Sequence, residues 1–177
     1  MALYLVYFNL VIRCEADEME EEEIFFKTRF AKADEWEEII SLVWKTFLEF
    51  ESDIYSERGI ESFRQFITDT MLKRMFDIGK YQVMVAHVRE KIVGVIALRD
   101  ENHVSLLFVD KDYHYHGVGC ALVTEMSNYV RNELDKQRLT VNASPYAVGF
   151  YHKLGFRDLG GETQADGIIY TPMELLL

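Results

Sequence analysis

Residues 106–122 read Leu-Leu-Phe-Val-Asp-Lys-Asp-Tyr-His-Tyr-His-Gly-Val-Gly-Cys-Ala-Leu, and this stretch constrains the fold more than any other. An apolar strand over 103–109 runs into a short loop. The loop opens a helix, read over 120–134, at Gly117-Val118-Gly119. A strand-to-helix turn of this kind leaves the first helical N–H groups without carbonyl partners and with a partial positive charge. Glycines at the turn let a ligand approach those groups closely, and phosphate is the natural occupant. The dinucleotide fingerprint asks for a third glycine, where Leu122 stands, and the Lys-Ser/Thr ending of a P-loop is missing. The plain alternative is a tight turn that binds nothing.

The flanking pattern alternates strands and helices. Residues 24–30 mix β-branched and aromatic side chains and read as a strand. Asp34, with Glu37 three positions later, predicts a capped helix start. Trp36, Ile39, Ile40, Val43, Trp44, Phe47 and Leu48 then recur at helical spacing. A second helix is predicted over about 60–76, with Phe63, Phe66, Ile67 and Met71 on one face. Strands over 81–88 and 92–98 are joined by Arg89-Glu90-Lys91, and in the next strand His103, Ser105 and Leu107 share a face. Gly94, inside an apolar strand, marks a bulge or a close backbone approach. A short strand covers 139–142. Ser144-Pro145 predicts a helix start, with Ser as N-cap and Pro first in the helix, and Gly155 ends that helix. Strands over 156–159 and 168–177 close the chain, and Pro172 in the last one demands an edge position or a bulge. The order β-α-α-β-β-β-α-β-α-β-β predicts an α/β sandwich, a mixed and mainly antiparallel sheet flanked by helices.

Composition narrows the partners. A chain of 177 residues suits one compact domain, and 49% hydrophobic content fills its core. The net charge of −11 argues against a nucleic-acid partner, which needs clustered Lys and Arg. It suits a cationic or amine substrate, although solubility is the plainer reason for acidity. Cys14 and Cys120 have no metal-ligand spacing, and without a secretory signal they read as reduced thiols of a cytoplasmic protein. Residues 1–12 are apolar but shorter than the ~20 residues that cross a bilayer, and they lack the basic flank and cleavage site of a signal peptide, so no membrane partner is expected. An acidic run over 17–23 follows. Residues 1–23 are therefore read as an N-terminal extension: an extra strand, an interface segment, or sequence ahead of a natural start at Met19. Residues 24–177 are read as the domain.

The second informative stretch is Asn142-Ala143-Ser144-Pro145-Tyr146-Ala147-Val148-Gly149-Phe150-Tyr151-His152-Lys153-Leu154-Gly155-Phe156. With the glycine turn, it resembles the GNAT family of acetyl-CoA-dependent N-acetyltransferases. That family carries Gln/Arg-x-x-Gly-x-Gly/Ala after a hydrophobic strand, and later Asn-x-x-Ala-x-x-Phe-Tyr-x-Lys-Leu-Gly-Phe. The resemblance covers about 24–177 and is strongest over 104–159. It implies a GNAT-like sandwich. It also implies that His114, Gly117, Val118, Gly119 and Cys120 line the coenzyme A pyrophosphate, and that the backbone of Phe108 and Val109 pairs with the pantetheine arm. By the same resemblance Asn142 orients the pantetheine or an ordered water, and Tyr151 protonates the leaving thiolate. His114 departs from the family's Gln or Arg, but a histidine can also donate to phosphate.

Acetyl transfer to an amine needs a deprotonated nucleophile, a stabilised thioester oxygen and a protonated leaving group. A tyrosine, with an ordinary pKa of about 10, holds a proton at neutral pH. Tyr151 also reads as a packed aromatic beside Phe150. Some family members carry a basic glutamate near the start of the strand before the glycine loop. Here His103 stands close to that place, as a base or as a polar surface histidine. Glu49, Glu51 and Asp53 follow the first helix, where the family's substrate loop lies, and read as an amine site or as a solvated acidic run. His114, His116 and His152 lack a third ligand at informative spacing, so no metal is expected. The expected activity is direct transfer from acetyl-CoA to a primary amine in a ternary complex, on a small molecule by family breadth. The alternative is a non-catalytic acetyl-CoA sensor or protein-interaction module of the same fold. A homodimer is compatible with both.

Overall fold

The computed structural model describes residues 24–177, and the readings made for residues 1–23, including Met19 and Cys14, lie outside them. The described elements are β1 (Lys27–Phe30), α1 (Trp36–Phe50), α2 (Glu57–Ile67), α3 (Thr70–Asp77), β2 (Gln82–Val88), β3 (Lys91–Arg99), β4 (His103–Val109), α4 (Val118–Asn132), β5 (Arg138–Ala143), α5 (Val148–Lys153), β6 (Arg157–Asp158), β7 (Thr163–Ala165) and β8 (Ile168–Leu176). One sheet runs in the order β1-β2-β3-β4-β5-β8-β6, with β7 also paired to β8. Among these pairs β4–β5 is parallel and the rest are antiparallel. This is the mixed, mainly antiparallel sheet that the sequence predicts.

The central strands are apolar on both faces because both faces are covered. Val83, Val85, Val95 and Ala97 pack with Trp36, Ile39 and Val43 of α1 and Leu72 and Phe76 of α3. Met84, Ala86, Val93, Ile96 and Leu98 pack against Leu122, Met126 and Val130 of α4 and Tyr151 of α5. Burying such side chains stabilises the fold by about 1.5–3 kcal/mol each.

The alternation breaks in β4. Ala97 pairs with Leu106 and Leu98 with Val104, so Ser105 is an extra residue without a partner on β3. A bulge of this type bends its strand and reverses the alternation of faces. The expectation that His103, Ser105 and Leu107 share a face is therefore corrected. The Ser105 hydroxyl meets Tyr81 Oη at 2.8 Å on the α1 side, whereas Leu107 packs on the α4 side. Beyond the bulge β4 also leaves β5: the parallel register holds only His103 with Thr140 and Val104 with Val141.

Other expectations are corrected by local chemistry. The helix start assigned to Asp34 is organised by Glu35, which accepts from the Lys32 N–H at 2.7 Å and binds Arg29 through two hydrogen bonds. Those contacts, led by the Arg29 hydrogen bond, hold the Glu35 carboxyl down at about 2. The helix predicted over 60–76 is two helices. Asp69 interrupts it, its side chain accepting from the Met71 N–H at 2.7 Å to start α3. The restart changes the phase, so Met71 is exposed while Leu72 and Phe76 are buried. Ser144 does not start α5: its carbonyl accepts from the Ala147 and Val148 N–H groups, and regular helix begins at Val148. Helix α4 begins at Val118, two residues ahead of the predicted start. The short strand β7 adds a hairpin with β8 that the sequence reading omits. Pro172 sits inside β8, opposite Asn142, where β6 is ending; its carbonyl accepts from Leu159 N–H at 2.8 Å.

Gly94 is a close approach beside a bulge. The register of β2 with β3 shifts next to the Ala86–Gly94 pair, and α4 crosses directly over the glycine. A Cβ there would lie 2.9 Å from Val118 Cγ1 and 3.1 Å from Leu122 Cδ1. Gly94→Ala is expected to cost about 1–3 kcal/mol by overpacking. Urea unfolding should show a lower midpoint with an unchanged slope.

Candidate active site

The parting of β4 and β5 opens two cavities that meet. The first, of about 290 Å³, is lined by Phe63, Phe66, Arg99, His103, Asn142 and Tyr170 among others. The second, of about 480 Å³, is lined by Phe108, Val109, His114, Gly117, Val118, Gly119 and Cys120, together with Phe50, Tyr146 and Phe150. Glu51, Leu107, Phe108, Ala147 and Tyr151 line both. Seven of the eight residues expected at the cofactor are thus together in the second cavity, while Asn142 lines the first. Tyr151 is at the junction, and His103 is in the first cavity only.

The glycine turn is built as its sequence suggests. Gly117 caps α4 at φ +80°, a left-handed conformation that suits glycine, and its carbonyl accepts the Ala121 N–H at 2.9 Å. The amides of Val118 and Gly119 precede that first intrahelical bond, and both residues line the second cavity. A Cβ on Gly119 would lie 3.2 Å from the Phe150 ring, so this glycine lets α4 and α5 come together beside the cavity. A helix N-terminus opening on a large cavity matches what a pyrophosphate requires. His114 is engaged with the strand: its Nε2 meets the Val109 carbonyl at 2.8 Å and its ring packs on Phe50.

Asp110 fixes the start of this loop. It is 3% exposed, receives Lys91 Nζ at 3.0 Å and the Asp112 N–H at 3.2 Å, and lies 3.5 Å from Lys45 Nζ. Burial alone would raise its pKa, but Lys91, the Asp112 amide and Lys45 together bring it below the ordinary value. A depressed carboxylate stabilises the fold above its unfolded pKa, and that contribution is lost as the pH falls through the folded value. Asp110→Asn is expected to lower stability by about 2 kcal/mol at pH 7. The difference from the wild type should shrink below pH ~4, which denaturant titrations across pH can follow.

Tyr151 is 4% exposed, with the Phe150 and Phe156 rings at 5.3 and 5.0 Å. Burial, and then the Glu51 charge, raise its pKa, so the phenol keeps its proton at neutral pH. His103 lies beside Arg99 at the start of β4, its Nδ1 2.9 Å from Thr140 Oγ1. Burial, and then the Arg99 charge, lower its pKa. Four residues of strand separate it from Leu107 at the junction, roughly 13 Å by strand rise. Of the acidic trio, Glu49 lies in the last turn of α1 and pairs with Lys111, and Asp53 beyond the helix is exposed. Glu51 turns inward, with Tyr55 Oη 3.4 Å from its carboxylate. Tyr55 and the buried Ser144 hydroxyl are site residues that sequence reasoning misses; Ser144 reads there as a helix cap. Among the described residues no group of three or more His, Cys, Asp or Glu is placed to hold a metal, and His152 is bound to Asp158 at 2.7 Å. No helix among them is long and apolar enough to cross a membrane.

The acetyltransferase (GNAT) domain family matches residues 51–177. The chain belongs to the GNAT acetyltransferase family. The family's cosubstrate is acetyl-CoA. A curated relative, the uncharacterized N-acetyltransferase YafP of Escherichia coli (strain K12), is 34% identical over 106 residues, which cover 60% of this chain and 64% of the relative. The match therefore spans less than two thirds of that protein's length. Two solved structures share the fold. The GCN5-related N-acetyltransferase from Rhodopseudomonas palustris superposes with a TM-score of 0.73 at 21% identity, covering 85% of this chain and 95% of that one. The PaiA N-acetyltransferase from Thermoplasma acidophilum, solved in complex with coenzyme A, gives a TM-score of 0.72 at 18% identity, covering 86% and 99%.

Proposed function

We propose that this GNAT acetyltransferase moves an acetyl group from acetyl-CoA to the primary amine of a small molecule by direct attack in a ternary complex. The observation that carries this reading is the meeting of the two cavities at Tyr151. The second cavity, with its glycine turn, takes the coenzyme A end. The first, at about 290 Å³, has the size of a small-molecule site. Both substrates then touch at one point, so no covalent acyl-enzyme is required.

Tyr151 is the proton donor in this reading. Its phenol lies at the junction with its proton retained by burial, ready for the departing sulfur. Phe108 and Val109 supply strand backbone that β5 has left, and His114 positions the end of that strand. Asn142 and His103 take part from the acceptor side, Asn142 by orienting a bound group and His103 as a neutral imidazole near neutral pH.

Free-thiol release from acetyl-CoA across a panel of primary amines tests the proposal. Amine-dependent release is expected, and Tyr151→Phe is expected to lower kcat by on the order of 10²-fold with acetyl-CoA affinity preserved. Full turnover in Tyr151→Phe would remove this residue from the chemistry. Acetyl-CoA binding without turnover on any amine would favour a sensor.

A further inference from the structure

The junction of the two cavities holds a carboxylate with no assigned part in the reaction. Among the described residues, Glu51 is the one acidic side chain in the lining of either cavity, and it lines both. Its backbone N–H caps α1 on the Phe47 carbonyl at 2.9 Å, which fixes the residue where the helix ends. Its carboxylate is then presented to Tyr55 from its own loop and to Ser144 from the loop after β5. Ser144 is 9% exposed, and its hydroxyl has no hydrogen bond of standard geometry.

We infer that Glu51 is the amine-binding carboxylate of this enzyme: it holds the ammonium group of a monoamine with an apolar body, and takes one proton from it. The inference rests on the N-acetyl transfer proposed above. Position is the first argument. A nucleophilic nitrogen must sit where the two substrates meet, which is where Glu51 and Tyr151 are. His103 belongs to the far part of the acceptor cavity, beside Arg99.

The electrostatic setting agrees. Burial raises the Glu51 pKa to about 6, and the Ser144 and Tyr55 hydroxyls pull against that rise. The titratable groups facing it are phenols: Tyr55, Tyr146 and Tyr151 all feel its charge. A desolvated carboxylate among hydroxyls binds an ammonium strongly, and near pH 7 it is ionised yet basic enough to take a proton.

The walls define the rest of the acceptor. Phe63, Phe66, Phe108, Ile168 and Tyr170 line the first cavity, and among the described residues its one fixed cation is Arg99. A polyamine would set its further ammonium groups against apolar rings and a guanidinium. An aryl- or alkyl-amine with a single positive charge meets complementary surface throughout.

The protons balance. One N–H bond of the ammonium breaks and an O–H bond forms on Glu51. The freed lone pair makes the C–N bond to the acetyl carbon, and the C–S bond breaks. The sulfur takes the Tyr151 proton, and the second nitrogen proton returns to Tyr151. Glu51 then gives its proton to water. An ammonium and acetyl-CoA thus yield an acetamide, coenzyme A and one proton.

Thiol release by the full chain at saturating acetyl-CoA, between pH 5 and 9, tests this with 2-phenylethylamine and spermidine as acceptors. The expected kcat/KM for 2-phenylethylamine exceeds that for spermidine by at least ~10-fold, and it falls as the pH drops below about 6, where Glu51 becomes protonated. Glu51→Gln should lose on the order of 10²-fold or more in kcat, keep its acetyl-CoA affinity, and lose the acid limb. Ser144→Ala should move the acid limb to higher pH, because the hydroxyl pulls the carboxyl down. A wild type active on amines whose rate and acid limb survive Glu51→Gln, or that prefers spermidine, overturns this inference alone. A wild type that binds acetyl-CoA and acetylates no amine overturns the N-acetyl-transfer reading as well.

Discussion

The site depends on two neighbouring strands that part. Parallel β4 and β5 share only two registered pairs, and the extra residue Ser105 bends β4 immediately after the second. The bulge is held in place: Ser105 Oγ contacts Tyr81 Oη at 2.8 Å and the Ala97 carbonyl at 3.3 Å, and Tyr81 is itself buried in the α1-side core. A strand that stayed paired would leave no room between Leu107 and Tyr151. Because it departs, the backbone of Phe108 and Val109 borders a cavity on the side that β5 leaves, and α5 can bring Tyr151 to the opening. The glycine turn follows β4 after one short turn of 3-10 helix, so the same bend also aims the N-terminus of α4.

Two desolvated carboxylates near this opening show how environment divides structural from reactive groups. Asp110 and Glu51 are both drawn into the protein, and desolvation penalises both charges. Asp110 is compensated by Lys91, Lys45 and a backbone amide, so it stays ionised and pins the loop. Glu51 meets hydroxyls, which solvate a charge without neutralising it, and its proton affinity rises toward the working range. A raised and a depressed carboxylate a short way apart are the pattern expected where one group holds the scaffold and the other meets a substrate.

Much of this was legible in the sequence. Helix α1 follows from its apolar spacing, and β4 is found at its predicted limits, because both signals are local. The glycine turn and the segment around Tyr151 come together at the second cavity, as two motifs read for one site should. What failed was phase and pairing. Asp69 splits a helix because a side chain competes for the Met71 amide, and apolar periodicity does not weigh that bond. The Ser105 bulge is set by cross-strand register, which one strand alone does not reveal. Glu51 stands in sequence between Glu49 and Asp53 with nothing to distinguish it. Only the fold turns it inward and brings Ser144, more than ninety residues later, to face it.

Helix α2 and the β7–β8 hairpin, which both contribute to the lining of the first cavity, pack backbone against backbone. Gly59 in α2 abuts Gly167 in the β7–β8 turn so closely that a Cβ on Gly59 would collide with the Gly167 carbonyl. Ser62 Oγ adds a hydrogen bond to the Asp166 carbonyl at 3.0 Å, and Arg58 reaches the Asp166 carboxylate at 3.3 Å. Helix α2, which carries Phe63 and Phe66 into the cavity wall, is therefore fastened to the hairpin that carries Ile168 and Tyr170. Rings from both elements line the first cavity. Among the described residues, Glu51 and Arg99 are the side chains of its lining that carry a fixed charge, so any charge recognition in this cavity falls to that pair.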